Sequence, residues 1–420
     1  MMRVSTSQFY QFSTNNMGRL QSDVTKQTEY LSTGKQVLTA KDAPVGNLSL
    51  LGFKEELMSI ERFNKNITQA ESRNNRQEVA LSNAQDILLQ VKDIVIQANN
   101  GSYSEEEFTS LAQQLNSSLD QLLDVGNTKS ESGEYIFAGY QTQQRPFSIA
   151  PDNSVSYSGD NGQSDLQIAQ NIYVPINQAG DDVFMLVDNI VGDFMPTYTD
   201  NLTIPVDDID PEEPDIYVER AVVVDRETYN GAGMTPGFQF DFADDGAGGI
   251  DVTVTDANGA GAAVYGPATY TAGQAIAFNG MEVNIDGNPL PGDQFTLNEQ
   301  DKVSIYDTLK DAIDWVDAAS TNLSDPKQHQ VDYNHIITQL DEAFSHITNQ
   351  RAEVGTTLKT IDTQRNIALD TEVLVNSSRG KIEDLDFAEA ISVFEQQKLS
   401  LQAAQQTFSQ IQGLSLFNFI

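Results

Sequence analysis

The residues best suited to do chemistry lie in LSTGKQVLTAKDAPVG, Leu31 to Gly46. Gly34-Lys35 follows two small hydroxyl residues, as in loops that cradle a phosphate. Such a loop needs Gly-x-x-x-x-Gly-Lys-Ser/Thr, with backbone amides around the anion and a hydroxyl for its metal. Here Gln36 follows Lys35, and Glu29 stands where the first glycine belongs. The stretch therefore reads as a joint between two helices. Gly34 ends one, Asp42 caps the next and Pro44 enters its first turn. Lys35 and Lys41 are expected to face water or the acids of a neighbouring subunit.

The other chemical candidates fail on spacing. Gly246, Gly248, Gly249, Gly259 and Gly261 never give Gly-x-Gly-x-x-Gly and read as hairpin turns. DFADDGAGGIDV offers Asp241, Asp245 and Gly246 to calcium, but Ala243 and Val252 occupy positions that need oxygen ligands. Of His329, His335 and His346, the last two are about 16 Å apart along a helix, too far for one metal. There is no cysteine, which removes disulfides, thiolate metal sites and cysteine nucleophiles. Carboxylate pairs are too abundant to single one out. The expectation is a protein that is not an enzyme, with no catalytic residue, no cofactor and no metal.

The formal net charge is −37. Phosphates would be repelled, so neither nucleic acid nor an anionic membrane is an expected partner. No window has the eighteen or so apolar residues of a membrane span. MMRVSTSQFYQFSTNN lacks the apolar run of a signal peptide. The chain is expected to stay in the cytoplasm or to leave by a route without a cleaved Sec signal.

Tyr10, Met17, Val24 and Leu31 recur every seven residues, with Leu20 beside them. From Ile60 to Ala98 apolar residues follow three- and four-residue steps, a heptad seam made polar at Asn74 and Gln77. A helix from about Leu48 to Asn99 would be roughly 75 Å long. Ser104 and Glu107 form a capping-box pattern before a third helix with Phe108, Leu111, Leu115, Leu119 and Leu122. Val303 to Val316 predicts a further helix, and Ile336 to about Asn376 a longer one. Ser377-Ser378-Arg379-Gly380 is expected to break it before a last helix. The seam of that helix is Phe387, Ile391, Phe394, Leu401, Ala404, Phe408 and Ile411. The two terminal seams are expected to pair with each other and with the same helices of neighbouring subunits.

The middle changes period. VERAVVVD, GFQFDF, IDVTVTD and MEVNID are β-branched or aromatic runs bounded by turn residues, and RPFSIAPDNSVSYSGD and NIYVPIN read likewise. No lysine occurs between Lys129 and Lys302. The predicted fold class is α+β: an elongated helical bundle built from both terminal arms, with coiled-coil terminal helices, long antiparallel helices and an inserted β-rich middle domain. The expected boundaries are 1–40 and 379–420 for the terminal coiled-coil layer, 41–140 and 302–378 for the bundle, and 141–301 for the β-rich region, subdivided near 190.

LSTGKQVLTAKDAPVG, VKDIVIQANNG and SSRGKIEDLDFAEAISVFEQQKLSLQAAQQTFSQIQ resemble the two ends of the bacterial flagellins. GEYIFAGYQTQQRPF, VSYSGDNGQ, GDDVF and the closing GLSLFNFI resemble the hook–filament junction branch of that family. FNGMEVNIDGNPLPGDQF resembles a β-motif of hook-associated proteins, while the rest of about 193–301 carries little resemblance. The resemblance implies an extracellular structural subunit of the flagellum. It implies self-assembly into a ring between another hook-associated protein and flagellin, after unfolded export through the type III apparatus with an export chaperone. It also implies three radial layers, with the terminal helices lining the channel. The residues also admit two other readings. One is a filament flagellin. The other is a glycan-binding or enzymatic module carried by the β-rich insertion.

Overall fold

The computed structural model describes residues 6–100, 103–199, 216–231, 237–256, 263–320 and 326–417. Its helices are α1 (Thr6–Thr33), α2 (Pro44–Ala98), α3 (Glu105–Gly126), α4 (Gly180–Phe184), α5 (Arg226–Gly231), α6 (Ile305–Ser320), α7 (Pro326–Glu383) and α8 (Phe387–Phe417). The chain forms two compact units. One is Met1–Ile67, Ile168–Gln170 and Asp362–Ile420, and the other is Thr68–Gln167 and Asn171–Ile361. The helices α2 and α7 each contribute to both. The class is α+β, as the two periodicities predict.

In the second unit the heptad seam of α2 packs with α3, α6 and α7. Leu81, Leu88, Val91 and Val95 meet Leu115, Leu119 and Leu122, then Ile305, Leu309 and Ile313, then Leu340, Ala343 and Ile347 in one core. Polar contacts fix α2 antiparallel to α7. Lys92 pairs with Asp341 at 2.5 Å, Gln85 donates to Thr348 at 2.6 Å, and Arg351 reaches Glu78 and Gln85. The polar interruption of the seam has a purpose. Buried Asn74 donates to the Pro175 carbonyl at 2.9 Å and Gln77 to that of Ile176 at 3.1 Å. These amides hold a passing chain segment whose carbonyls would otherwise be stranded. At the start of α3, Ser104 and Glu107 cap each other's backbone amides reciprocally, as the sequence pattern predicts.

The hairpin of β1 (Phe147–Ile149) and β2 (Val155–Tyr157) carries two of the resemblance-bearing stretches; β3 (Asp165–Ala169) and β4 (Ile172–Pro175) form another. Those stretches converge on one aromatic knot. Phe184 meets Phe137 edge-on at 5.2 Å and Phe147 at 5.5 Å, while Phe147 also touches Tyr157 and Tyr306. The Phe137 carbonyl accepts from the Gly180 amide at 3.0 Å and the Tyr157 hydroxyl at 3.1 Å. A Cβ at residue 180 would lie 2.5 Å from that carbonyl oxygen, so only glycine admits the approach.

The ladder of β5 (Val187–Asp188) with β14 (Lys302–Val303) closes the base of the insertion. Within it lie β6 (Phe194–Thr199), β7 (Tyr217–Val223), β8 (Phe238–Asp244), β9 (Ile250–Asp256), β10 (Ala263–Thr269), β11 (Ala275–Phe278), β12 (Met281–Asp286) and β13 (Gln294–Glu299). They form a five-stranded sheet, ordered β10-β9-β8-β13-β6, and a three-stranded sheet, β11-β12-β7. The alternation of GFQFDF and MEVNID is used literally. Phe238, Phe240 and Phe242 share a core with Met281, Val283 and Ile285, joined by Phe238 and Phe278 rings 5.3 Å apart. The stretch DFADDGAGGIDV spans the β8–β9 turn. Asp245 accepts from the Ala247 and Gly249 amides there, a turn-closing role.

Two sequence expectations fail locally. The stretch 377–380 does not break the helix, since α7 runs on to Glu383 with Arg379 and Glu383 paired one turn apart at 3.4 Å. The break falls at 384–386, where Asp386 caps α8 by accepting from the Ala388 and Glu389 amides. Asp42 does not cap α2. Its carboxylate faces backwards, accepting from the Leu38 and Thr39 amides, and Ala43 stands at the position before Pro44.

Candidate assembly seam and its joint

In the first unit α1 and α8 run antiparallel. Tyr10 meets Phe408 edge-on at 5.6 Å, and Gln27 donates to the Ala390 carbonyl at 3.2 Å. The facing row of α1 is Tyr10, Ser13, Met17, Leu20, Val24, Gln27 and Leu31, all half-buried. On α8 the row is Ala390, Phe394, Gln397, Leu401, Ala404 and Phe408, again in steps of three and four. Ala390 alone is fully buried among the described side chains of the two helices.

Phe387 and Ile391 lie outside this contact, each 52% exposed. The Phe387 ring edge hangs 3.5 Å from where a Cβ on Gly34 would sit, and Ile391 points a hundred degrees off the row that Ala390 begins. Phe12 and Leu399 are exposed as well. The Ile411 side chain lies outside the described residues. Ser13, Gln27 and Gln397 are the polar members of the two rows that the apolar pattern did not reveal.

At one end of the pair, the loop after α1 is stitched to the loop after α7. Lys35 and Asp384 form an antiparallel bridge, the Gln36 amide donates to the Glu383 carbonyl at 2.9 Å, and the Leu385 amide to that of Gly34 at 3.0 Å. Gly34 takes φ +68°, the left-handed conformation that ends α1 and turns its carbonyl outward. The Lys35 ammonium is therefore not free for a phosphate or a neighbour. It pairs with buried Glu383 at 2.5 Å, which, helped by Arg379, holds that carboxyl below its ordinary range. Beside it, Lys26 pairs with Asp42 at 2.8 Å and Tyr30 donates to the same oxygen at 3.1 Å. The Lys26 contact, then the Thr39 amide and hydroxyl, hold the Asp42 carboxyl well below the usual range, while Asp42 and then Tyr30 raise the Lys26 ammonium. This is a structural lock. Its lysines are occupied by acids of the same chain.

The three histidines all sit on α7. His329 stacks on Trp315 at 4.3 Å, and His346 contacts the Asp182 carbonyl at 2.8 Å. Among the described residues no helix is long and apolar enough to cross a membrane.

Comparison with known proteins agrees with this geometry. Residues 4–142 match the bacterial flagellin N-terminal helical region, and residues 337–420 match the bacterial flagellin C-terminal helical region. Between them they take in α1, the α2 seam and α8. Flagellar hook-associated protein 3 of Salmonella typhimurium is 22% identical over 416 residues, covering 99% of both chains. The protein of that name from Escherichia coli is 28% identical over 183 residues, 44% of this chain and 57% of the relative, so that match spans little more than half the relative's length. The solved flagellar junction protein FlgL from Legionella pneumophila is 28% identical with a TM-score of 0.62, covering 79% of this chain and 99% of that one. The chain belongs to the bacterial flagellin family.

Proposed function

We propose that this chain is a hook-associated protein of the junction type, a non-catalytic structural subunit of the bacterial flagellum standing between hook and filament. The observation that carries the reading is the α1–α8 pair. It has a regular heptad contact, yet only Ala390 is fully buried there among the described side chains. Two helices with so little buried between them gain most of their stability from further partners. Phe387, Ile391, Phe12 and Leu399 are the exposed apolar side chains such partners would cover. Tyr10, Met17, Val24, Leu31, Phe394, Leu401 and Phe408 form the seam within the subunit.

In this reading residues 1–40 and 379–420 form the terminal coiled-coil layer, 41–140 and 302–378 the bundle, and 141–301 the β-rich region. The partners are further copies of the chain in a ring, a neighbouring hook-associated protein, flagellin, and an export chaperone with the type III apparatus. The match along nearly the whole of a hook-associated relative supports the junction role over a filament role. Labelling the protein on isolated flagella tests it. A single band at the hook–filament boundary is expected. Label along the whole filament would overturn the junction role in favour of a filament subunit.

A further inference from the structure

The second unit holds a cavity of about 1000 Å³ between β6 and β7 on one side and α6 and α7 on the other. The assembly role makes no use of it. Its volume is that of a ligand site. Its walls include Tyr198, Tyr217, Trp315 and His329, over an apolar floor of Val218 and Ile336. Its charged side chains are of one sign. Asp311, Asp314, Asp332 and Glu219 line it, and among the described residues no lysine or arginine does.

These acids are not equivalent. Asp314 is paired with Lys310 at 2.7 Å. Asp311 and Glu219 make no ion pair or hydrogen bond among the described residues. Asp311 is open to solvent yet surrounded closely enough that desolvation, then the Asp307 charge, pushes its carboxyl up to about 6. Burial also lowers the pKa of His329 and His335, which keeps both rings neutral near pH 7. No group of three acidic or imidazole side chains among the described residues is placed to hold a metal ion. The acids are spread around a volume far larger than an ion. The Nε2 of His335 is buried with no hydrogen-bond partner among the described residues, so with its proton on Nδ1 this lining residue has an acceptor to spare.

We propose that this cavity binds a small organic cation, an ammonium or guanidinium group on an aliphatic or aromatic body, with Asp311 and Glu219 as counter-charges and the aromatic walls around the body. Carboxylates and aromatic faces both favour a cation, and both disfavour an anion of the same shape. A neutral polyol would gain little from two unpaired acids.

The chain's single tryptophan is Trp315, in the wall of the cavity, so binding has an intrinsic fluorescence readout. The full chain is titrated with 2-phenylethylammonium, with 3-phenylpropionate as the anion of matched skeleton, and with methyl glucoside. A saturable change with the ammonium alone is expected. Asp311→Asn and, separately, Glu219→Gln each weaken it, Asp311→Asn by about tenfold or more, while circular dichroism stays as in the parent. Glu219 is on the exposed face of a strand, so its variant keeps the test alive if Asp311→Asn misfolds. Equal binding of the anion or the sugar, affinity unchanged in the variants, or no saturable heat by calorimetry would each overturn the proposal.

Discussion

Phe184 shows how much one side chain carries. It is fully buried between Phe137, Phe147 and Tyr306, in a knot drawn from four separate stretches of chain. Phe184→Ala leaves a cavity that rings cannot collapse into, and should cost about 3–5 kcal/mol in denaturant unfolding. The charged residues give a prediction of opposite signs. Glu383 and Asp42 are held below their ordinary values, so their pairs stabilise the fold above those values, 4.5 and 3.8, and are lost as pH falls below them. Asp311, though open to solvent, is raised to about 6 by desolvation from the groups around it and by Asp307, with Asp314 and Asp332 adding and Lys310 opposing. Its ionisation in the folded state therefore removes stability as pH rises from 3.8 towards 6. Asp311→Asn should raise the melting temperature at pH 7.5 and leave it unchanged at pH 3. Melting curves of parent and variant across that range check the sign.

At the scale of elements, the helices and strands were largely legible because their periods differ. The α2 seam, the Ser104–Glu107 capping box and the inward phenylalanines of β8 follow directly from spacing. The helix end at SSRG was misread because glycine and two serines are also tolerated inside a long helix. Arg379 and Glu383, one turn apart, carry α7 through it. Gly380→Ala distinguishes the cases. Its added Cβ would meet only the mobile end of Asp384, so in a helix it should stabilise by roughly 0.5–1 kcal/mol. A destabilisation would restore a glycine-dependent turn. The joint was legible as a joint, but its pairing was not. Nothing local says that Lys35 meets Glu383, because the partners are 348 residues apart and only the fold brings them together. The aromatic knot was hidden for the same reason, its members being readable as a family resemblance but not as mutual neighbours.

The whole molecule is uneven in what holds it. The second unit contains both large apolar cores, one among helices and one between sheets. In the first unit the buried apolar side chains are few, Leu50, Ile60, Ile67, Val375 and Ala390 among them. Amide hydrogen exchange of the isolated chain should show α1 and α8 opening at a small fraction of the free energy that protects α3 and α6. Equal protection throughout would mean that the terminal pair is stable without partners. The charge of −37 is uneven too: between Lys129 and Lys302 the basic residues are Arg145, Arg220 and Arg226, two of them paired with Glu282 and Asp193. A surface so acidic repels its own copies except where apolar side chains are exposed, which limits association to those faces.

The stitch between the two loops also orders events in time. One strand of the bridge is set at residue 35 and the other at 384. A loop of that span closes late, whichever end of the chain is available first. Until residue 384 has arrived, Gly34, Lys35 and Gln36 have nothing to bind, and α1 has no α8 beside it. The joint is thus a seal that only a nearly full-length chain can close. A truncated copy, however well its two cores fold, would present an unpaired first helix and be distinguishable from an intact one.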